Sequence, residues 1–156
     1  MARASRRQGG RSIPTRPLVA TGSFGPGLPA PRVATAIARG LRAGGLPAPE
    51  ECPLPPAKDR AGETRAFLDA LDFDARLRRA RALILGEARM QARTLQGSAA
   101  FEIATRARQA GVPAYAVTGD NRLDLFDARI LDLQLILVAN STRALAAAGM
   151  ELARLL

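Results

Sequence analysis

The fold is decided by residues 80–100, ARALILGEARMQARTLQGSAA. Residues 82–85 are a continuous apolar run, and a short apolar run bounded by turn residues is typical of a strand buried on both faces. After Gly86 the segment is polar, and after Gly97 apolar residues recur at helical spacing. We therefore predict a strand that ends at Gly86, a polar loop, and a helix that begins near Ser98, which together form one half of a βαβ unit.

The sequence on both sides repeats this alternation of strand-like and helical segments. Predicted strands lie at 17–22, 51–54, 112–118 and 132–138, and predicted helices at 31–43, 63–71, 98–110 and 143–155, with an irregular or helical stretch at 122–130. Such alternation implies a mostly parallel sheet with helices on both faces. We predict a single α/β domain with three layers, α/β/α, of the flavodoxin or Rossmann type.

The expected core consists of apolar residues that recur at helical spacing. They are Val33, Ile37 and Leu41 in the first helix, Phe101, Ala104 and Ala107 after Gly97, and Leu145, Ala148, Met150 and Leu152 in the last helix. Asp72 is placed to cap a helical turn that carries Phe73 and Leu77.

The composition is that of a globular protein of about one domain, with 156 residues, 47% hydrophobic and 24% charged. The single cysteine, Cys52, excludes an intramolecular disulfide and fits a reducing cytoplasm. The absence of histidine excludes serine–histidine and cysteine–histidine mechanisms and removes the commonest metal ligand, so we expect no metal site built by the protein. No apolar run reaches the length of about eighteen residues that a transmembrane helix needs, so we expect no membrane association.

The net charge of +9 is partly local, because residues 1–16 carry five arginines and no acid, which leaves +4 for the rest. A basic arm can bind nucleic acid or anionic lipid. The other interpretation is a disordered, solvated leader. No aromatic residue lies among these arginines to stack on bases, which argues against nucleic-acid binding. We predict a disordered basic tail at 1–16, a domain at 17–156, and ordinary linker charges at Lys58 and Asp59.

Three polar or glycine-rich segments follow predicted strands: 22–27, 86–94 and 119–121. The carboxyl ends of parallel strands share one edge of the sheet, where ligands of such folds bind, so we expect these segments to converge. The glycine-rich segment before the first helix suggests a weak phosphate cradle, although its spacing fits neither a P-loop nor a dinucleotide fingerprint. Plain surface loops are the alternative, and Asp120 and Asn121 are either turn formers or polar groups of the crevice.

The central stretch resembles the GEGRxDxQTxxGKxP signature of the bacterial, ATP-dependent glycerate kinase family. The matching residues are Gly86, Glu87, Arg89, Thr94 and Gly97, and the departures are Ala88 for Gly, Gln91 for Asp, Arg93 for Gln, Ser98 for Lys and Ala100 for Pro. The first loop and helix resemble the IAPDSFKGSLSA motif of the same family at Ala20, Ser23, Phe24, Leu28 and Ala30, and then at Ala36, Ile37 and Gly40. The family's Asp and Lys in that motif are replaced here by Gly22 and Gly25.

The resemblance covers residues 17–54 and about 63–156, and the long middle domain of the family is absent between these parts. It implies ATP-dependent phosphorylation of D-glycerate, with Mg²⁺ if the protein is active, in the cytoplasm. It implies catalytic roles for Glu87 and Arg89, and binding of substrate or phosphate by Ser23, Gly86, Thr94, Gly97 and Gly119. Because of the departures, we expect a degenerate or incomplete kinase. The alternative is a non-catalytic module that binds a small anion or a partner, either a second copy or a separate chain.

Overall fold

The computed structural model describes residues 13–56 and 61–156, and its centre is one sheet of five parallel strands. The strands are β1 (Leu18–Thr21), β2 (Glu50–Pro53), β3 (Leu83–Met90), β4 (Ala114–Asn121) and β5 (Leu133–Val138). Their order across the sheet is β2-β1-β3-β4-β5, as in flavodoxin-like folds. The predicted three-layer α/β class and the parallel sheet are confirmed.

Helices cover both faces of this sheet. They are α1 (Ala30–Ala43), α2 (Ala61–Ala70), α3 (Phe73–Arg78), α4 (Ala99–Ala110), α5 (Leu125–Ile130) and α6 (Thr142–Ala153), with a 3₁₀ turn at Ala92–Leu95. Strand residues alternate between the two layers, so that Leu83 and Leu85 pack with α2, α3 and α4, while Ile84 packs with α1 and α6. Of the helices in the described part of the chain, none combines the length and the apolar character that a membrane span requires.

The two central strands are longer than predicted. We expected β3 to end at Gly86 and the next strand to end at Thr118, but the strands continue to Met90 and Asn121. The reason is backbone pairing, because Arg89 lies opposite Asp120 and Met90 opposite Asn121 in a regular parallel register. Segments 86–90 and 119–121 are therefore strand ends rather than loops.

Two further expectations about side chains are wrong. Met150 is 40% exposed, because it lies outside the buried stripe of α6, which runs through Leu145, Ala148, Gly149 and Leu152. Asp72 does occupy the N-cap position of α3, but its backbone is left-handed and its side chain makes no capping hydrogen bond. Phe101 is only partly buried, whereas Val33, Ile37 and Leu41 are fully buried as predicted.

Two glycines let α1 and α6 lie in direct backbone contact. A Cβ on Gly40 would overlap the carbonyl oxygen of Ala146 and lie 2.9 Å from the amide nitrogen of Met150. A Cβ on Gly149 would overlap the carbonyl oxygen of Ile37 and lie 3.0 Å from the amide nitrogen of Leu41. Any side chain at either position would force the two helices apart.

The opposite helical layer is tied together by one arginine. Arg106 of α4 contacts Asp69 of α2 at 2.9 Å, Asp74 of α3 at 3.2 Å and Glu102 of its own helix at 3.1 Å. The Arg106 side chain is largely buried, so these charge-assisted bonds are better shielded from solvent than surface ion pairs. The cluster links the three helices α2, α3 and α4.

The start of the domain is joined to the sheet at Arg16. Its carbonyl oxygen accepts a hydrogen bond from the amide of Arg81, and its Nε donates to the carbonyl of Ala48. The predicted disordered tail at 1–16 includes Arg16, which these two bonds hold in place; residues 1–12 lie outside the described residues, so disorder there stays a prediction. Lys58 and Asp59 also lie outside the described residues.

Candidate functional site

The carboxyl ends of β3 and β4 meet the segment that follows β1 at the carboxyl edge of the sheet. The amide of Gly22 donates a hydrogen bond of 3.0 Å to the carbonyl of Gly86. A Cβ on Gly119 would lie 2.8 Å from the carbonyl oxygen of Ala88 and 3.7 Å from the ring of Phe24. The parallel register thus brings together residues that are about one hundred positions apart in the chain, as the topology rule requires.

Gly86 is required by packing between β1 and β3. A Cβ at this position would overlap the methyl group of Thr21 and lie 2.7 Å from its Cβ. Thr21 is fully buried, and its hydroxyl donates to the carbonyl of Ala30 at the start of α1. The match of Gly86 to the signature therefore has a structural explanation, and its role in substrate binding stays a prediction.

Glu87 lies on β3 beside Thr118 of β4, and by strand alternation it shares the face of Leu85, which packs with α2, α3 and α4. Its side chain is partly buried. Burial raises the pKa of this carboxyl, and a hydrogen bond from the amide of Ala88 offsets part of that effect. A carboxyl with a raised pKa is better suited to accept a proton from a substrate hydroxyl than an ordinary surface carboxylate.

We expect Glu87→Gln to stabilise the fold at neutral and alkaline pH and to lose this advantage in acid. The raised pKa means that burial disfavours the charged form in the native state, so the native protein is most stable where Glu87 is protonated. The contribution of Glu87 to the free energy of unfolding is fully present below the ordinary pKa of a glutamate. This contribution is lost as the pH rises through the raised pKa of the native state. Urea unfolding of both proteins from pH 4 to pH 8 tests this, and parallel stability profiles would contradict it.

Two arginines share one carboxylate at the ends of β3 and β4. Arg89 Nε lies 3.1 Å from Asp120 Oδ2, and Arg122 Nε lies 2.8 Å from the same oxygen. The two arginine side chains are 54% and 61% exposed, so their remaining N–H donors face solvent. Two guanidinium groups against one carboxylate leave an excess positive charge, which is the condition for binding a small anion.

Arg122 was not predicted as a site residue, and Asp120 was left as an alternative. The spacing carries a signal, because residues 120 and 122 are two apart and extended backbone places such residues on the same side; the amide of Arg122, just after β4, still donates to the carbonyl of Met90. It was missed because the strand was predicted to end at Thr118, four residues before Arg122.

The glycine-rich segment after β1 is closed on itself. The amide of Phe24 donates to the carbonyl of Leu28, and the amide of Leu28 donates to the carbonyl of Gly25. The Ser23 hydroxyl accepts a bond from the amide of Gly25 and lies within bonding distance of the carbonyls of Gly25 and Leu28. The amides of Phe24, Gly25 and Leu28 are thus used inside the loop, and binding of substrate or phosphate by Ser23 stays a prediction.

Thr94 and Gly97 shape the connection between β3 and α4. The Thr94 side chain is buried, and its hydroxyl accepts a bond from the amide of Gln91. Gly97 has a φ of 86°, in the left-handed region that favours glycine. Ser98, which replaces the signature lysine, donates to the carbonyl of Thr94 and caps α4 by accepting from the amide of Phe101. Binding of a ligand by Thr94 or Gly97 stays a prediction.

The acidic groups at this edge do not fit a magnesium ion. Mg²⁺ is usually held by one or two free carboxylates together with substrate phosphates. Asp120 is already shared by two arginines, and the raised pKa of Glu87 shows that its surroundings disfavour the charged form. Within residues 13–56 and 61–156, no three acidic or cysteine side chains are grouped to hold a metal.

Among the solved structures to which this chain is similar are the following three. A candidate glycerate kinase 2 from Salmonella typhimurium is 19% identical with a TM-score of 0.44, over 58% of this chain and 26% of that one. A candidate pilus assembly-related protein from Burkholderia pseudomallei is 16% identical with a TM-score of 0.48, over 91% and 92% of the two chains. Diflavin flavoprotein A3 from Nostoc sp. is 14% identical with a TM-score of 0.46, over 90% and 91%.

The matched part of this chain thus corresponds to about a quarter of the Salmonella protein. Among curated proteins, none matches the chain significantly by sequence. The model of the glycerate kinase family matches residues 56–154, a range that contains β3, β4, Glu87, Arg89 and the whole connection to α4. Since that match extends over well over half of the sequence, the chain belongs to the glycerate kinase family.

Proposed function

We propose that this domain binds a small organic acid, D-glycerate, at the carboxyl edge of its sheet, and that it supplies one wall of a glycerate kinase site without efficient phosphoryl transfer of its own. The observation that carries the proposal is the pair of arginines, Arg89 and Arg122, that share the carboxylate of Asp120. Family membership supports D-glycerate as the anion.

The arginines provide a binding mode for the carboxylate of the acid. Asp120 forms an ion pair with the Nε atoms of both side chains, hydrogen-bonded in the case of Arg122, and both arginine side chains are more than half exposed to solvent. A guanidinium binds a carboxylate through two parallel hydrogen bonds, and each bond to a charged group contributes about 1.5–3 kcal/mol. A preoriented guanidinium also loses less side-chain entropy on binding than a free one.

Glu87 provides a contact for the hydroxyl groups of the acid. It lies on the same strand as Arg89, two residues before it, so both side chains belong to the same end of β3. Its raised pKa suits a group that accepts a hydroxyl proton. In the complete reaction ATP supplies the phosphoryl group that the hydroxyl receives. Three amides of the loop at 22–28 are bonded within the loop, and Asp120 is shared by two arginines, which favours binding of ATP and Mg²⁺ at another wall of the site.

Replacement of Arg89 by alanine is expected to weaken D-glycerate binding by about tenfold to a hundredfold or more, since it removes charge-assisted hydrogen bonds of which a single one is worth about 1.5–3 kcal/mol. Isothermal titration with D-glycerate measures the change, and a melting-temperature series with D-glycerate, phosphate, ADP and ATP–Mg²⁺ compares the ligands.

The matched control is Arg154→Ala, which removes the same charge from an exposed position at the end of α6. We expect the control to keep the affinity of the unmodified chain. Equal affinities for the unmodified chain and the Arg89 variant, or no D-glycerate binding by either, would refute the proposed site.

A further inference from the structure

The two edges of the sheet differ in how they are protected against pairing with another chain. An edge strand exposes unpaired N–H and C=O groups, and proteins commonly block such edges with charges or proline. The β2 edge carries Glu50, Glu51 and Pro53, which are protections of this kind. The β5 edge has the sequence LQLILV, with no charge and no proline, and in the described part of the chain β4 is its one neighbour.

Backbone geometry gives the direction of the free groups on β5. The amide of Ala139, just after the strand, donates to the carbonyl of Thr118 on β4. Successive residues of a strand turn their N–H groups to opposite sides. The amides of Val138 and Ile136, one and three residues earlier in a regular part of the register, therefore point to the free edge.

Exposed apolar side chains occur on β5 itself and on the helix that precedes it in the chain. Val138 is 61% exposed, and in α5, which connects β4 to β5, Leu125 is 83% and Phe126 is 72% exposed. A six-residue uncharged segment with high β-propensity on an open edge is an aggregation hazard unless it is covered. In a chain with a net charge of +9, β5 is also a segment without charged side chains, so close approach along it brings no like charges of the strand itself together.

We propose that β5 pairs antiparallel with β5 of a second copy of this chain and joins the two sheets into one of ten strands. Such a pair is self-complementary about a two-fold axis, which is the commonest symmetry of homodimers. It also matches charge, because the exposed Asp132 precedes β5, whereas Arg143 and the positive N-terminal end of α6 follow it. Antiparallel pairing brings the acidic end of one strand towards the basic end of the other.

The dimer leaves both anion sites open. Antiparallel pairing turns the carboxyl edges of the two sheets in opposite directions, so that Arg89 of each copy faces away from the other copy. The interface therefore does not depend on the proposed binding of D-glycerate. The dimer is tested by molecular mass and D-glycerate binding by titration, so either proposal can fail while the other holds.

The test is the mass of the full chain by light scattering after size exclusion, over a dilution series, for the unmodified protein and two variants. We expect a dimer for the unmodified chain. We expect monomers for Val138→Lys, which places two like charges in the β5–β5 interface, and for Val138→Pro, which removes the backbone N–H that points to the free edge. Leu155→Lys is the matched control, an apolar-to-lysine change at another exposed position, and should stay dimeric. A monomeric unmodified chain, or a dimer that persists in both Val138 variants, overturns the proposal.

Hydrogen exchange on the unmodified chain keeps the test valid if the variants fold poorly. On going from dilute to concentrated protein, exchange at the amides of Ile136 and Val138 should slow, while exchange at the exposed β2 edge stays constant. Unchanged exchange at β5 over the range in which the mass doubles would place the interface elsewhere and refute the β5 pairing.

Discussion

Replacement of Gly40 by alanine is expected to destabilise the fold by about 3 kcal/mol, a large fraction of the roughly 5–15 kcal/mol that stabilises a domain. Alanine is normally favoured over glycine in a helix by about 0.5–1 kcal/mol. Here the added Cβ would overlap the backbone carbonyl of Ala146, and backbone cannot move aside as a flexible side chain can. The helices α1 and α6 would have to separate, which would open the core around Ile37 and Leu145.

Thermal and urea unfolding measure the effect, which should lower the melting temperature by on the order of 10 °C. The matched control is Gly62→Ala in α2, where a Cβ meets open space, and this variant should unfold at the same temperature as the unmodified chain or slightly above it. Gly149→Ala should lower the free energy of unfolding by an amount similar to that for Gly40→Ala. The double variant should lower it by less than the sum of the two single effects, because one separation of the helices relieves both overlaps. An unchanged melting temperature for Gly40→Ala would mean that α1 and α6 do not pack this closely.

The second large effect concerns catalysis: the purified chain alone should turn over D-glycerate at less than about 0.01 per second with ATP and Mg²⁺, against about 1–100 per second for typical kinases. Phosphoryl transfer requires nucleotide, metal and acceptor to be held together while developing charge is neutralised. Gly22, Gly25, Gln91 and Ser98 are neutral where the family resemblance places Asp, Lys, Asp and Lys. Loss of one well-placed stabilising donor typically costs about a hundredfold or more in rate.

Two of these neutral residues have structural roles, so replacing them with the charged residues of the family would disturb the fold locally. Gly25 has a φ of 128°, which a lysine side chain would strain, and Ser98 caps α4. A coupled assay that follows ADP release measures the turnover, with Arg89→Ala as the control for contaminating kinases. Steady turnover near one per second in the unmodified chain, abolished by Arg89→Ala, would show that the wall described here is a sufficient catalytic site.

The sequence by itself determined the fold class and most of the core. Buried parallel strands are continuous apolar runs, as at 82–85, and amphipathic helices repeat apolar residues at a fixed period, as at Val33, Ile37 and Leu41. Both patterns report burial, which is a local property of each element. The family signature could likewise be read in one stretch, because Gly86, Glu87, Arg89, Thr94 and Gly97 lie within twelve residues.

The tertiary structure alone decided how far the central strands extend and which groups they bring together. Residues 87–90 lack a distinct apolar pattern, and they are strand only because β4 supplies backbone partners for them. The same pairing sets Arg89 beside Asp120, thirty-one positions away, and the approach of α6 to α1 gives Gly40 and Gly149 their packing role. Each of these features depends on a partner from a distant segment, and the pattern of one segment contains no information about the atoms that will lie opposite it.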